Sequence, residues 1–382
     1  MTVLVVGSRP PVFAEAAARL GVDHDVVYDP EETPRTPEVA PRRVFWLPYM
    51  SAPESVLGLP DLHRYDGIVS FTDYGAMAAT LATAVCDLPG PPVDAVLRTR
   101  NKYLMRQALR RAGLAQPAFG RLGHDVPEPH HFPIVVKPLD GTGSSGLRLV
   151  TAAPGLGVVP LGRAMMWESH LEGPQYTVEG IARADHHEAL AVTGKVISGP
   201  PHFVVLEHDT PAELDDALRR RITDYVADCL GALGVRHTAT HTEVAVHHGE
   251  PKLIETHTRP AGDQVPFITR LTTGWEQSEL GLVEACRAPL TARPHPVVGR
   301  FARTIHFTPY DSDRTALANP AWLAEHPEVI AHDLSRIYSN RSSSHDSRWG
   351  HDPRWGNVVI AGPERDTLRT VSKSIRTTVR PT

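Results

Sequence analysis

Residues 134–150 read IVVKPLDGTGSSGLRLV. Two short β-branched runs, joined by glycines and serines, predict a pair of antiparallel strands with a backbone-exposing loop between them. Gly141, Gly143 and Gly146 let that loop take positive φ and turn its N–H groups toward an anion, because no Cβ blocks the approach. Lys137, near the end of the first strand, can add a point charge to the same anion. Taken alone, the stretch is equally an ordinary glycine-rich hairpin with a surface lysine.

Working outward, 382 residues are more than one small core accommodates and suggest two or three domains. The composition, 41% hydrophobic and 22% charged, is that of a globular protein, and no apolar run reaches the roughly 20 residues a membrane span requires. MTVLVVGSRPP lacks the features of a signal peptide and reads as a first strand. Cys86, Cys229 and Cys286 are scattered without metal or redox spacing. A cytoplasmic location is therefore expected. A net charge of −5 without a long basic run gives no support to nucleic-acid binding.

TVLVVG at 2–7, helical spacing at 12–20, the apolar GIVSFTD at 67–73 and the alanine-rich helix 75–86 alternate strand with helix. That predicts a small parallel α/β domain at the N-terminus. The proline-rich 30–43 segment reads as a loop. A helix follows Asn101, a good N-cap, and stops at Gly113. Another is expected at about 211–232, with Thr210 as cap and Glu213 closing a capping box. The tail mixes strand-like pieces with a final polar helix, and 340–356 reads as a polar loop.

The next informative stretch is HTEVAVHHGEPKLIETHTRPAGD at 241–263. Alternating apolar residues around a turn at Gly249 predict a hairpin. Glu255 and His257, two apart, share a strand face, and Glu243 on the paired strand can join them. Two carboxylates on one face repel unless protonated or bridged by a cation, and hard oxygens suit Mg²⁺. Arg259 extends that face toward phosphate oxygens. An exposed strand face with mixed charges is the plain alternative.

Together NK before a helix, VVKP with its glycine-rich loop, WESHLEGPQYTVEG, and the E…ETHTRPAGD run resemble the ATP-grasp superfamily of ATP-dependent ligases. The resemblance covers about residues 97–285. It implies an α/β ATP-grasp fold, two α+β subdomains gripping ATP behind a small parallel N-terminal domain. The implied boundaries are 1–96 for that domain, 97–172 for the subdomain with the flap, and 173–382 for the subdomain with the metal site and a C-terminal extension. It implies that Lys102 and Lys137 reach the ATP phosphates and that Gly141, Gly143, Ser144, Ser145 and Gly146 form a flap over them. Glu168, Ser169 and Leu171 would line the base pocket. Gln175 stands where the ribose carboxylate is usual, with Glu179 as a substitute. Glu243 and Glu255 would hold Mg²⁺ or Mn²⁺. His257 replaces the usual asparagine, either as a softer ligand or behind the ligands. Arg259, Lys137, Ser144 and Ser145 would be catalytic, with Arg303 and His306 as weaker candidates.

The amino-acid ligase branch is the nearest resemblance. It implies that a small-molecule carboxylate, activated as an acyl phosphate, is coupled to an amine with release of ADP and phosphate. Relatives often dimerise, so a homodimer fits the resemblance; neither nucleic acid nor membrane is expected as a partner. A bicarbonate-using carboxylase and a non-catalytic ATP-binding module are the alternatives. Trp275, Arg270 and the 198–208 loop are candidates for the acceptor pocket.

Overall fold

The computed structural model describes residues 1–10, 12–32, 40–141, 143, 146–158, 164–287, 291–292, 294–310, 312–334 and 354–379. Ser144 and Ser145, half of the 30–43 segment and most of the 340–356 segment lie outside them.

The chain builds three sheets. Thr2–Val6 (β1), Asp23–Tyr28 (β2), Val44–Trp46 (β3) and Gly67–Val69 (β4) pair in parallel in the order β3-β2-β1-β4, with Phe13–Leu20 (α1) and Asp73–Cys86 (α2) beside them. β1 is buried along its length because both of its faces are covered, which is why it reads as a continuous valine–leucine run. The helix α2 starts at Asp73 rather than 75, since Thr72 caps it by accepting from the Gly75 N–H at 3.2 Å. Two further helices, Val93–Arg100 (α3) and Lys102–Arg111 (α4), lead into the second sheet.

That sheet comprises Phe119–Arg121 (β5), Ile134–Pro138 (β6), Arg148–Val150 (β7) and Met165–Ser169 (β8) in the order β5-β8-β6-β7. The 134–150 stretch is the expected antiparallel pair, Ile134 opposite Val150. Gly143 and Gly146 take φ of 60° and 72°, as a glycine loop permits.

The third sheet is the largest. Gln175–Ala182 (β9), His187–Ile197 (β10) and Val205–Thr210 (β11) precede the helix Asp216–Leu233 (α5). Thr238–His247 (β12) and Glu250–His257 (β13) form the expected hairpin, turning through His248 and Gly249 at positive φ. Val265–Thr273 (α6) and Gln277–Ala285 (α7) follow, then Phe301–Phe307 (β14), Arg314–Ala318 (α8), Val329–Asp333 (β15), Gly356–Gly362 (β16) and Arg365–Thr378 (α9). The strand order is β13-β12-β9-β10-β11-β14-β16-β15.

The α5 helix begins later than the sequence pattern suggests. Thr210 stays in β11, opposite Ala302, so Asp215 caps the helix instead and accepts from the Leu218 N–H at 2.7 Å. Val178, Val192, Val244 and Leu253 on one face of the large sheet pack with Ile222, Val226 and Leu230 of α5 and Met105 and Leu109 of α4. That packing turns the alternate residues of β9, β12 and β13 to the opposite face. The α7 helix returns to the first sheet, where Leu282 joins Val3, Val5 and Phe13.

A Cβ at Gly75 would collide with the Val6 carbonyl oxygen and with Ser70 Oγ. Gly75→Ala is therefore expected to push α2 off β1 and to destabilise the fold by about 1–3 kcal/mol. Urea unfolding checks this; an unchanged midpoint would show that α2 can shift without cost.

Candidate active site

The β6 sequence IVVKP sends Ile134 and Val136 into a core with Trp167 and leaves Lys137 on the other face. In β8, Glu168 pairs opposite Val135 and reaches the same face, where Lys137 Nζ donates to Glu168 Oε1. Arg106 donates from Nε to the other Glu168 oxygen at 3.0 Å and from Nη2 to the Ile254 carbonyl at 3.0 Å. Ile254 lies where the β12–β13 register slips, so its carbonyl is free to turn toward α4. Arg106 follows Lys102 by one helical turn, and both sit on the inner face of α4. Asn101 caps that helix by accepting from Tyr103 and Leu104 N–H at 3.1 Å, which fixes Lys102 at its start. Lys102 Nζ donates to the Gly141 carbonyl at 2.5 Å and pairs with Glu255 Oε2 at 3.0 Å.

Burial alone would raise the Glu168 carboxyl, but Arg106 and Lys137 reverse it and hold the group below the usual carboxylate value. Burial lowers the Lys137 ammonium, against the pull of Glu168. The Glu168 carboxylate is thus occupied by two cations rather than turned to a base pocket.

In the hairpin, Glu243 stands directly opposite Glu255, and His241 opposite His257. Lys195 of β10 donates to Glu243 Oε2 at 2.5 Å. His257 places Nε2 3.3 Å from Glu255 and Nδ1 2.9 Å from Asp73, the first residue of α2. Arg259 donates to the second Asp73 oxygen at 2.5 Å. A carboxylate at the start of α2, beside the N-terminal sheet, thus grips both the histidine at the end of β13 and the arginine just after it. His241 Nδ1 lies 2.9 Å from Glu179, which is fully buried, and its ring stacks on His257 with centroids 5.8 Å apart.

Desolvation opposes charge on every one of these groups, and their partners overcome it. Glu255 lies well below the ordinary carboxylate range through Lys102 and His257, and Glu243 is lowered through Lys195 and His241 despite repulsion from Glu255. Asp73 is lowered by Arg259 and His257, and His257 is raised by Asp73. His257 has both ring nitrogens engaged by carboxylates, Nδ1 by Asp73 and Nε2 by Glu255.

The structure brings Lys102, Lys137, Gly141, Glu168, Glu243, Glu255, His257 and Arg259 together. Ser169 lies at the end of β8, its N–H bonded to the Ala118 carbonyl, with buried Leu171 just beyond. Gln175 opens β9, opposite Lys195. Arg303 faces away, toward Glu207 and Asp209 beneath α9. Arg270 binds Glu15 of α1, and Trp275 packs near Ile181 and Leu280. His306 sits farther along the sheet against His208. Asp73, Arg106, Lys195 and His241 are additions. Arg106 was signalled by its one-turn offset from Lys102; Asp73 lies 184 residues from His257 and had no local signal.

Residues 99–263 match the family model described as the ATP-grasp domain. Among characterised and uncharacterised relatives, it is 32% identical over 201 residues to the uncharacterized protein y4rH of Sinorhizobium fredii, covering 48% of this chain and 41% of that one. It is 26% identical over 196 residues to dapdiamide A synthase of Enterobacter agglomerans, covering 47% and 46%. The match thus spans less than half the length of each of these two relatives. An L-amino acid ligase from Bacillus licheniformis shares the fold with a TM-score of 0.80 at 20% identity, over 99% of this chain and 98% of that one.

Glu179 and Glu243 raise His241 to about 10 against the opposing effect of burial. The stabilisation that His241 contributes is complete below its unfolded value of 6.5 and is lost as the pH rises through 10. Unfolding free energy is expected to fall across that window by at most about 1.4 kcal/mol per pH unit. The slope should flatten in His241→Gln; identical slopes in both proteins would show that His241 carries no such proton.

Proposed function

We propose that the protein is an ATP-dependent carboxylate–amine ligase. The observation that carries the reading is the convergence of an opposed carboxylate pair, Glu243 and Glu255, with Lys102, Lys137 and Arg259 beside a glycine loop. An isolated charged strand face does not need two buried lysines and an arginine.

Lys102 and Lys137 would hold the ATP phosphates, with the Gly141–Gly146 loop closing over them and excluding water from the activated intermediate. Glu168 and Arg106 fix the Lys137 ammonium. Glu243 and Glu255 fit Mg²⁺ as two hard carboxylate ligands, the remaining positions being left to phosphate oxygens and water. Among the described residues no group of three or more His, Cys, Asp or Glu side chains is arranged to hold a metal alone. When bound, Mg²⁺ would neutralise charge on the phosphates. In this reading Lys195 and Lys102 balance the carboxylates, and His257 orients Glu255 and is itself oriented by Asp73.

The chemistry follows from the need to activate a carboxylate. Its oxygen attacks the γ-phosphorus and ADP leaves; the amine then attacks the acyl carbon and phosphate leaves as the amide bond forms. Arg259, held by Asp73, would stabilise the negative charge that develops on the oxygens at the reacting centre. The similarity to dapdiamide A synthase supports this reading, while the fold is shared alike with an L-amino acid ligase and a biotin carboxylase. No helix among the described residues is long and apolar enough to cross a membrane.

ADP release, followed with Mg²⁺ or Mn²⁺ across amino acids supplied singly and in pairs, tests the proposal. Release that requires both a carboxylate and an amine is expected, and Glu255→Ala should abolish it. Arg259→Met should lower kcat by about 10²–10³-fold while the protein still binds ATP. Release with bicarbonate and no amine would move the protein to the carboxylating class, and ATP binding without turnover would leave a non-catalytic module.

A further inference from the structure

Two rows of side chains cross β9, β12 and β13 on the face that carries the carboxylate pair. Thr177, Glu243 and Glu255 form one row, and Glu179, His241 and His257 form the next. Because the strands are antiparallel, both imidazoles flank the carboxylates from the same side. The contacts repeat atom for atom. His257 sets Nε2 3.3 Å from Glu255 Oε1 and Nδ1 2.9 Å from Asp73 Oδ1. His241 sets Nε2 3.6 Å from Glu243 Oε1 and Nδ1 2.9 Å from Glu179 Oε1. A lysine takes the other oxygen of each carboxylate, Lys102 on Glu255 Oε2 at 3.0 Å and Lys195 on Glu243 Oε2 at 2.5 Å.

The plain account of Glu179 and His241 is an ion pair that fills the core. Stability is a weak reason for such a pair, since apolar residues of similar volume often serve as well or better. Glu179 is fully buried and keeps both oxygens on His241 Nδ1, at 2.9 and 3.2 Å, so it turns to the imidazole and not to a ribose. The backbone beside the pair is pinned as well. Gln277 of α7 donates from Nε2 to the Gly180 carbonyl at 3.1 Å and to the Thr240 carbonyl at 2.7 Å. A core-filling pair does not require the second ring nitrogen to face Glu243. Nor does it require a stacked ring, 5.8 Å away, that faces Glu255 in the same manner.

We infer that His241, anchored by Glu179, is a positioning residue that fixes the Glu243 carboxylate for binding a divalent cation. Anchoring Nδ1 settles the direction of the ring, and the ring then settles the direction of Oε1. With Oε1 held, Oε2 is the oxygen that Lys195 can yield to the cation. Asp73 and His257 stand in the same relation to Glu255, so the two carboxylates are supported alike from separate parts of the chain. The assignment rests on the reading of Glu243 as a cation ligand and adds a side chain and its anchor to it.

The test uses the full chain, with ADP and Mn²⁺ as probes. Calorimetry measures ADP affinity with and without Mn²⁺, together with adenosine affinity, and melting temperatures identify any variant that fails to fold. His241→Asn keeps a group that reaches Glu179 but none that reaches Glu243, whereas the longer amide of His241→Gln reaches Glu243. His241→Asn is expected to cut the tightening of ADP by Mn²⁺ roughly 10- to 100-fold, with adenosine affinity unchanged. His241→Gln should recover part of that loss, and Glu179→Gln should add little when combined with His241→Asn. Arg221→Met, which breaks the exposed pair with Glu250 at the tip of the same hairpin, should leave the Mn²⁺ effect intact. The inference is overturned if His241→Asn lowers the melting temperature but not the Mn²⁺ effect, or if His241→Asn retains more of that effect than His241→Gln. Glu243→Gln separates this result from the reading beneath it. Loss of the Mn²⁺ effect in Glu243→Gln but not in His241→Asn sinks the positioning role alone; no loss in either sinks both. The expected Mn²⁺ results without ADP release from any substrate pair would sustain this role and sink the ligase reading.

Discussion

Two carboxylates placed opposite each other across a strand pair repel, and burial makes the repulsion worse. Glu243 and Glu255 are held in that position by cations from two other parts of the chain. Lys195 comes from the same large sheet, and Lys102 comes from α4, which packs with α5 on the other face of that sheet. The hairpin can therefore keep both charges only when α4 is seated beside it. Arg106 reinforces the meeting by linking Glu168 of the small sheet to the Ile254 carbonyl of the hairpin. Through Arg106 the small sheet is tied to the same hairpin that carries the two carboxylates.

The N-terminal sheet adds a third anchor. Asp73 engages His257 and Arg259 through separate oxygens, so both side chains have fixed directions rather than the freedom of exposed cations. The charges alternate through contact: Arg259, Asp73, His257, Glu255, Lys102. Each carboxylate in this chain has a cationic partner, which is how so many ionised groups stay buried together.

The 134–150 stretch and the 241–263 hairpin were legible because their chemistry is local. Period-2 alternation, glycines and a turn fix which residues share a face, and Glu243 with Glu255 followed from that alone. Asn101 could be read as a cap for the same reason. Thr210 could not be rejected as one, because what keeps it in a strand is pairing with Ala302, far away in sequence. Asp73 was invisible because helix α2 reads as a helix whichever direction its first carboxylate points. Lys195 reads like any lysine on a strand, and Glu168 like a residue of a base pocket, whereas Arg106 and Lys137 occupy its two oxygens. Similarly, His306 could be noted as polar, but only the register of β11, β14 and β16 shows which histidine it faces.

The return of α7 to the first sheet has a consequence for how this molecule can be rearranged. Leu282 completes a core whose other members, Val3, Val5, Phe13 and Val26, come from the first few dozen residues. The N-terminal unit is thus discontinuous in the chain, although its sheet is contiguous. Exchanging the leading segment alone with that of a relative would mate a foreign sheet to a native helix and leave the seam at Leu282 and Cys286 mismatched. A recombination that respects the packing must carry two pieces at once, the leading strands and the helix that covers them.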